Sequence, residues 1–580
     1  SWARRPGTWA AARSSPGTLA RLGGWLAPQL EGGRRPAGNA EGRDWLRTKP
    51  RTPHTTPAAT SSRPSYSPVT RAGDPLPHAY APRAPHAGAQ SRSARTGDRA
   101  LHASSPMPHG ATASPVLHGA TAPTGATAEA DAFLARLDAA RPGIFLGLAP
   151  SLALLARVGN PQETLRVVHV AGTNGKGSIC AMVAAALRSA GVRVGTFSSP
   201  HLLHASDAVT IDGSPDPLGW AASVEAIRDA AGGAEVAAGT VTAFEATTAA
   251  MWLQLATAKV DVAVVEVGVG GRLDATNVCS SSLVSVVGAI ALDHTDLLGA
   301  TLGLIAREKG GVFKKGCPAV LPADIVPEVE DSLLAVAREV GASPIVRAPP
   351  AQLLPQVPGQ DGGGRRVRCG GLDMELRLNG AFQLENAGIA VAALQAIQAT
   401  GVISLSDENI AAGVAGACWP GRLEWVQWRG KEVLVDGAHN EAAAKALRAF
   451  IDALGVGRVR WVVGMVSGKD IHALLRALLR PSDTLYPVEI SRASLPARLS
   501  TLPVTQIRAA ADALGFGAAL RDAGEPGLSP ALHAALSSNG SSGSPPGEAT
   551  PMAPTTTLCK AHNRAGQLEG AAVALQDEGE

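Results

Sequence analysis

Between Leu165 and Gly191 the chain passes through a β-branched run, Leu165-Arg-Val-Val-His-Val170, then a glycine turn, Ala171-Gly-Thr-Asn-Gly-Lys-Gly-Ser178, then an alanine-rich stretch from Ile179 to Ala190. That order predicts strand, tight turn and helix, with Gly191 as the residue just past the helix end. Such a unit can bury its apolar faces only beside further units of the same kind. They are present: from Ala128, where AEADAFLARLDAA has helical spacing, strand-like runs alternate with Ala/Leu helices to about residue 525. The alternation predicts an α/β fold, with parallel sheet covered by helices on both faces.

The same turn constrains chemistry. Gly172, Thr173, Asn174, Gly175 and Gly177 allow backbone N–H groups to close around phosphate oxygens, the helix start adds a partial positive charge, and Lys176 adds a full one. The Ser178 hydroxyl can reach a magnesium ion. An ordinary tight turn is the plainer reading of a glycine loop alone, but here lysine, hydroxyl and both flanking elements occur together. The loop departs from the usual phosphate-binding pattern in one respect, an extra Gly177 between the lysine and the hydroxyl residue.

A second strand-like run, Asp261-Val-Ala-Val-Val-Glu266, ends in a carboxylate beside Gly268, Gly270 and Gly271. Ligands of α/β sheets bind at such strand ends, so Glu266 is a candidate oxygen ligand for magnesium near the phosphates, against the plainer reading of a surface carboxylate. A third run, Ser285 to Ala291, is expected to end in Leu292-Asp293-His294. Lys309 reads from its surroundings only as a helical lysine with an exposed charge.

Composition excludes other classes. At 580 residues there is room for about three or four domains. Residues 1–127 carry 16 Lys and Arg against 5 Asp and Glu, whereas the remainder carries 36 against 44. An acidic body has no excess positive charge to release counterions from a nucleic acid, and 4% aromatic residues leave few stacking platforms. No uninterrupted apolar run of 18 residues argues for a membrane span. The six cysteines lie far apart without CxxC or Cys/His ligand spacing, which fits a reducing compartment better than a disulfide framework.

Residues 1–127 are rich in Ala, Arg, Pro, Ser and Thr, and too poor in apolar pattern to offset their ordering entropy, so disorder is expected. Their composition is that of a transit peptide, which would address the protein to a plastid or mitochondrion. The alternative, an upstream stretch that is not translated, fits the first methionine at Met107 and leaves a cytoplasmic protein. The body then divides at the Trp419-Pro420-Gly421 break into 128–418 and 419–536, with Val357 to Arg366 as a flexible loop and 537–580 as a low-complexity tail. Strands are expected at Glu432 to Val435 and Arg460 to Val463, and a helix at Gly388 to Thr400.

Taken in order, GTNGKGS, Ser198-Ser199-Pro200-His201-Leu202, Glu266-Val-Gly-Val-Gly-Gly-Arg-Leu-Asp-Ala-Thr-Asn277 and Leu292-Asp293-His294 resemble the folylpolyglutamate synthase and dihydrofolate synthase family, relatives of the Mur ligases. Gln383, Asn386, Pro420-Gly-Arg-Leu-Glu424 and Asp436-Gly-Ala-His-Asn440 extend the likeness over roughly 130 to 520. The resemblance implies an N-terminal P-loop ATPase-like Mur ligase domain with a parallel sheet and a smaller C-terminal Rossmann-like α/β domain. It implies an ATP- and Mg²⁺-dependent ligase that adds L-glutamate to a folate or to dihydropteroate through an acyl phosphate, acting as a monomer. Magnesium would be held by Ser178, Ser199, Glu266 and His294. Lys309, in a stretch similar to the family's EKAGI motif, would be carbamylated, since a carbamate is an anion that cations attract.

In the second domain Asn386 would read an adenine edge, Arg422 would reach the terminal phosphate, and Asp436 and His439 would meet ATP and the incoming amino acid. Their plainer readings are a helix cap for Asn386, a pair with Glu424 for Arg422 and a cap of the helix from Glu441 for His439. Gly464 to Asp470 and Ser491-Arg492-Ala493 resemble later family segments. Phe382 stands where the family usually has histidine, Ser206-Asp207-Ala208 where it has Arg-Glu-Arg, and the family's closing Gly-Ser strand is not found, so the second sheet is expected to lack an edge strand. A Mur-type amino-acid ligase, a P-loop ATPase or switch protein, and a degenerate binding protein are the alternatives.

Overall fold

The computed structural model describes residues 125–201, 204–232, 239–355, 364–490, 500–522, 528–537 and 570–576. Residues 1–124, most of the basic head, therefore lie outside the described residues, as do Leu202, most of the glycine-rich loop, Ser491-Arg492-Ala493 and most of the tail.

In the first part, α1 (Gly125–Ala140) and α2 (Ala149–Arg157) precede β1 (Val167–Ala171), α3 (Lys176–Ser189), β2 (Val194–Phe197), β3 (Val209–Ile211) and β4 (Ser214–Pro215). There follow α4 (Pro217–Ala231), α5 (Ala243–Thr257), β5 (Val262–Glu266), β6 (Val284–Val287), α6 (Thr295–Leu298), α7 (Leu302–Gly310), β7 (Ala319–Pro322), α8 (Pro327–Val340) and β8 (Ile345–Ala348). Then come β9 (Gln352–Leu353), β10 (Arg365–Cys369), β11 (Leu372–Leu376), α9 (Phe382–Thr400) and α10 (Asp407–Gly416). After the linker lie β12 (Glu424–Trp428), β13 (Lys431–Asp436), α11 (Glu441–Ala453), β14 (Val459–Met465), α12 (Ile471–Leu478), β15 (Thr484–Pro487), α13 (Val504–Ala513), α14 (Leu528–Ser537) and β16 (Gly570–Gln576).

The larger sheet has the order β4-β3-β2-β5-β1-β6-β7-β8; its six strands from β2 to β8 run parallel, and only β3 and β4 are antiparallel additions. Its strands are apolar on both faces because both are covered. Val262 and Val264 face the core shared with α3, α9 and α10, whereas Ala263 and Val265 face the core of α1, α2, α4 and α5. This is the period of two expected for a pleated strand buried on each side. A three-stranded antiparallel sheet, β11-β10-β9, packs beside α9 and α10.

Several boundaries differ from the sequence expectation. Helix α1 begins at Gly125, inside the segment assigned to the head, and β10 begins at Arg365, so Arg365 and Arg366 are strand and not loop. Strand β6 stops at Val287 instead of Ala291, because Gly288 crosses against the phosphate loop: a Cβ on Gly172 would lie 3.3 Å from the Gly288 Cα. Helix α9 starts six residues early, at Phe382, and so carries Gln383 and Asn386 within it.

The smaller sheet corrects a further expectation. Its order is β12-β13-β16-β14-β15, so Gly570–Gln576, in the stretch read as solvated tail, is a strand. It is central and not an edge, pairing antiparallel with Leu434–Asp436 on one side and along all of Val459–Met465 on the other. Helices α11, α12 and α13 cover one face, and α14 lies on the other through Ala531, Leu532 and Ala535 against Trp428, Val433 and Val462.

Candidate active site

The phosphate loop is built by the expected sequence of elements. Strand β1 ends at Ala171, Gly175 takes a left-handed φ of 83° as the N-cap of α3, and the helix starts at Lys176. Gly191, at φ 75°, follows its end as expected. The Lys176 ammonium lies 3.3 Å from the Thr173 carbonyl and 3.9 Å from a Glu266 oxygen. Thr173 is stitched to the chain beyond β6: its N–H donates to Ala289, its hydroxyl donates to the Ala291 carbonyl, and the Ala291 N–H donates back to that hydroxyl.

Glu266 ends β5 and is buried, 6% exposed. The loop after it is held by Asp274, whose carboxylate accepts from the N–H groups of Val269 and Thr276 and from the Thr276 hydroxyl. Thr276 in turn lies 2.9 Å from His169 Nε2 on β1. Burial raises the Asp274 carboxyl pKa, although its hydrogen bonds oppose the rise, and burial takes the His169 imidazole down to about 3, which keeps it neutral.

Lys309 is not the exposed helical charge its surroundings in sequence suggest. It is buried on α7, and its Nζ donates to the Gly172 carbonyl at 3.0 Å. Burial, with the Lys176 charge second, brings its pKa down to about 7. Gly271 packs directly on the Glu308 and Lys309 backbone, so the glycine loop, α7 and the phosphate loop form one block.

The smaller sub-domain supplies the opposite wall. Gly421 N–H donates to Glu424, so that carboxylate serves the turn that carries Arg422. Both oxygens of buried Asp436 accept backbone N–H groups, from Leu423 and Ala438. Asp436 thus ties the Arg422 turn to the end of β13; burial raises its pKa, against the charge of Arg422. His439 Nδ1 donates to the Gly437 carbonyl, and its Nε2 faces an Asp293 oxygen at 3.7 Å. Asn440, not His439, caps α11. Asn386 is not a cap either: it lies in the second turn of α9, its amide donates to Gln383, and its oxygen occupies the space over Gly175. Gln383 donates to the Ser178 hydroxyl at 3.2 Å.

Asp293, in sequence no more than the neighbour of His294, joins the two walls. It accepts from Lys469 Nζ at 2.9 Å and from Asn440 at 3.4 Å, and Asn440 also donates to Asn174 in the phosphate loop. Burial would raise its pKa, but the His439 imidazole and the Lys469 charge outweigh burial and hold the carboxyl well below the usual range. The sequence signal was available, since Lys469 lies in the Gly464-to-Asp470 segment already singled out. His294 caps α6 with a left-handed φ of 48°.

All fifteen residues proposed from sequence line one cavity of about 530 Å³: Gly172, Thr173, Asn174, Gly175, Lys176, Gly177, Ser178, Ser199, Glu266, His294, Lys309, Asn386, Arg422, Asp436 and His439. No cluster of three or more His, Cys, Asp or Glu side chains able to hold a metal is found among the described residues. A magnesium site here has to draw on hydroxyls, and Ser178 and Ser199 face the same cavity as Glu266 and His294. The five described cysteines are free, and no described helix is long and apolar enough to cross a membrane.

A parallel sheet carrying a phosphate loop, faced across one cavity by a second α/β sub-domain, defines the Mur ligase class of two-domain nucleotide enzymes. Residues 423–494 match the family model described as the dihydrofolate synthetase C-terminal domain. A protein named probable dihydrofolate synthetase from Schizosaccharomyces pombe is 35% identical over 367 residues, 60% of this chain and 84% of that protein. The chain belongs to the folylpolyglutamate synthase and dihydrofolate synthase family. Among solved structures, Escherichia coli FolC in complex with DHPP and ADP matches with a TM-score of 0.59 and 31% identity, covering 70% of this chain and 92% of that one. The bifunctional folylpolyglutamate synthase/dihydrofolate synthase of Yersinia pestis, complexed with AMPPNP and a Mn ion, matches with 0.57 and 30%, covering 70% and 92%.

Proposed function

We propose that this chain uses ATP to join L-glutamate to a pterin carboxylate, with dihydropteroate as the preferred acceptor. The observation that carries the reading is the shared cavity, in which the phosphate loop and Lys309 meet Arg422, Asp436 and His439. The match of 423–494 to a dihydrofolate synthetase domain supports dihydropteroate over a reduced folate.

The pterin carboxylate attacks the γ-phosphorus of ATP, giving an acyl phosphate and ADP; the glutamate amine then attacks the acyl carbon and phosphate leaves. Lys176 and the N–H groups at the start of α3 hold the phosphates, and Arg422 takes up charge on the transferring group from the other side. Ser178, Ser199, Glu266 and His294 form a donor set of oxygens and one imidazole that fits Mg²⁺, which when bound neutralises phosphate oxygens. Lys309, near half-protonated at neutral pH, offers the unprotonated amine that adds CO₂ with loss of a proton. His439, with Nδ1 on the Gly437 carbonyl and Nε2 against Asp293, is held where the incoming amino acid meets the acyl phosphate, and the proton that the amine gives up leaves with the phosphate. Asp436 keeps Arg422 in place.

ADP release measured with dihydropteroate, with tetrahydrofolate and with neither, each with and without glutamate, tests the reading. Release that needs both dihydropteroate and glutamate is expected. Release with tetrahydrofolate alone would move the acceptor to folates, and release indifferent to both would leave a nucleotide hydrolase.

A further inference from the structure

The extra glycine of the phosphate loop has a partner that explains it. Gly177 lies in the first turn of α3 with no left-handed φ, so its backbone does not require glycine. Space does: a Cβ at Gly177 would fall 2.5, 2.6 and 2.7 Å from Cζ2, Cε2 and Nε1 of Trp419. Carbon atoms rest about 3.5–4.0 Å apart, so the indole occupies the room that any other residue would need.

Trp419 belongs to the linker between the sub-domains. The element before it, α10, is laid along α3 from the other end: Gly413 crosses on Ala186, and Asn409 exchanges hydrogen bonds with Ser189. The linker is therefore pinned to α3 both near the end of the helix and at its first turn. Three residues beyond Trp419 stands Arg422, whose turn is tied to β13 through Asp436.

We propose that Trp419 is a positioning residue for ligation: its indole, seated on Gly177, sets where Arg422 and the Asp436-to-His439 turn stand over the phosphates, and Gly177 is glycine to admit it. The activity arm of the proposal rests on the ligase reading above; the other arms do not.

The test is a double-mutant cycle with Trp419→Ala and Gly177→Ala, with Trp419→Phe as the conservative variant. Trp419→Ala is expected to lower kcat by about tenfold to a hundredfold, as a small misplacement does, while the Kd for a fluorescent ATP analogue stays within about threefold. Trp419→Phe should recover most of kcat. Gly177→Ala should be severe in the wild-type background and cost little more once Trp419 is alanine, because the clash is gone. Hydrogen exchange across 420–440, read without any substrate, should rise in Trp419→Ala and not in Trp419→Phe. A Gly177→Ala penalty equal in both backgrounds, or unchanged kcat and exchange in Trp419→Ala, would overturn the proposal. Should the wild type ligate nothing, the exchange and nucleotide-affinity cycle still decides it.

Discussion

Lys309 Nζ rests on the Gly172 carbonyl, and its pKa of about 7 against an ordinary 10.5 makes folding sensitive to pH in a defined window. Between those values the unfolded chain holds a proton that the native lysine has shed, so stability rises with pH. Below about 7 both states are protonated and the burial penalty is complete. In CO₂-free buffer, urea unfolding should show stability growing from pH 7 to pH 9 by on the order of 1 kcal/mol per pH unit on account of this group. Lys309→Met should remove that slope and be the more stable protein at pH 7; parallel slopes for the two would refute the assignment. Sequence reading reached the phosphate loop because its donors are consecutive residues. It misjudged the environment of Lys309 because the groups that bury it, Gly172 above all, lie far away in the chain. Asp293 escaped notice for the same reason, since its partners Lys469 and Asn440 belong to the other sub-domain.

Elements were legible where one period governs them and not where a neighbour intervenes. The α3 helix and its Gly191 terminus follow from local pattern, whereas the early end of β6 is imposed by the phosphate loop crossing at Gly288. Helix α9 began earlier than expected because Gln383, Glu385 and Asn386 have the polarity of a loop, although Gln383 and Asn386 are buried against the phosphate loop. The crossing of α10 on α3 depends on the absence of a side chain at Gly413, where a Cβ would fall 2.1 Å from Ala186 Cα. Gly413→Ala should therefore destabilise the protein by about 1–3 kcal/mol despite alanine's better helix propensity. Chemical denaturation measures it, and a stabilised variant would show that the helices part at no cost.

Across the whole molecule, the β16 strand joins the two halves of the smaller sheet, β12-β13 on one side and β14-β15 on the other, and the two halves are not neighbours without it. Sequence reading expected no such strand, because Gly570–Gln576 is separated from the preceding helix by a long Ser/Gly/Pro stretch and is short and alanine-rich. A chain ending at residue 569 should lose the folded smaller sub-domain, seen as rapid proteolysis beyond residue 420, while residues 125–416 keep their resistance. A truncated protein with undiminished ligation would sink this. The consequence reaches past activity. Removal of β16 would bare Leu434–Asp436 and Val459–Met465 as two unpaired edges in one molecule, each a template for a strand from another copy. Chains clipped at this end should accumulate as β-rich aggregates and not as a soluble partial enzyme, so loss of the last eleven residues would clear the defective protein from solution.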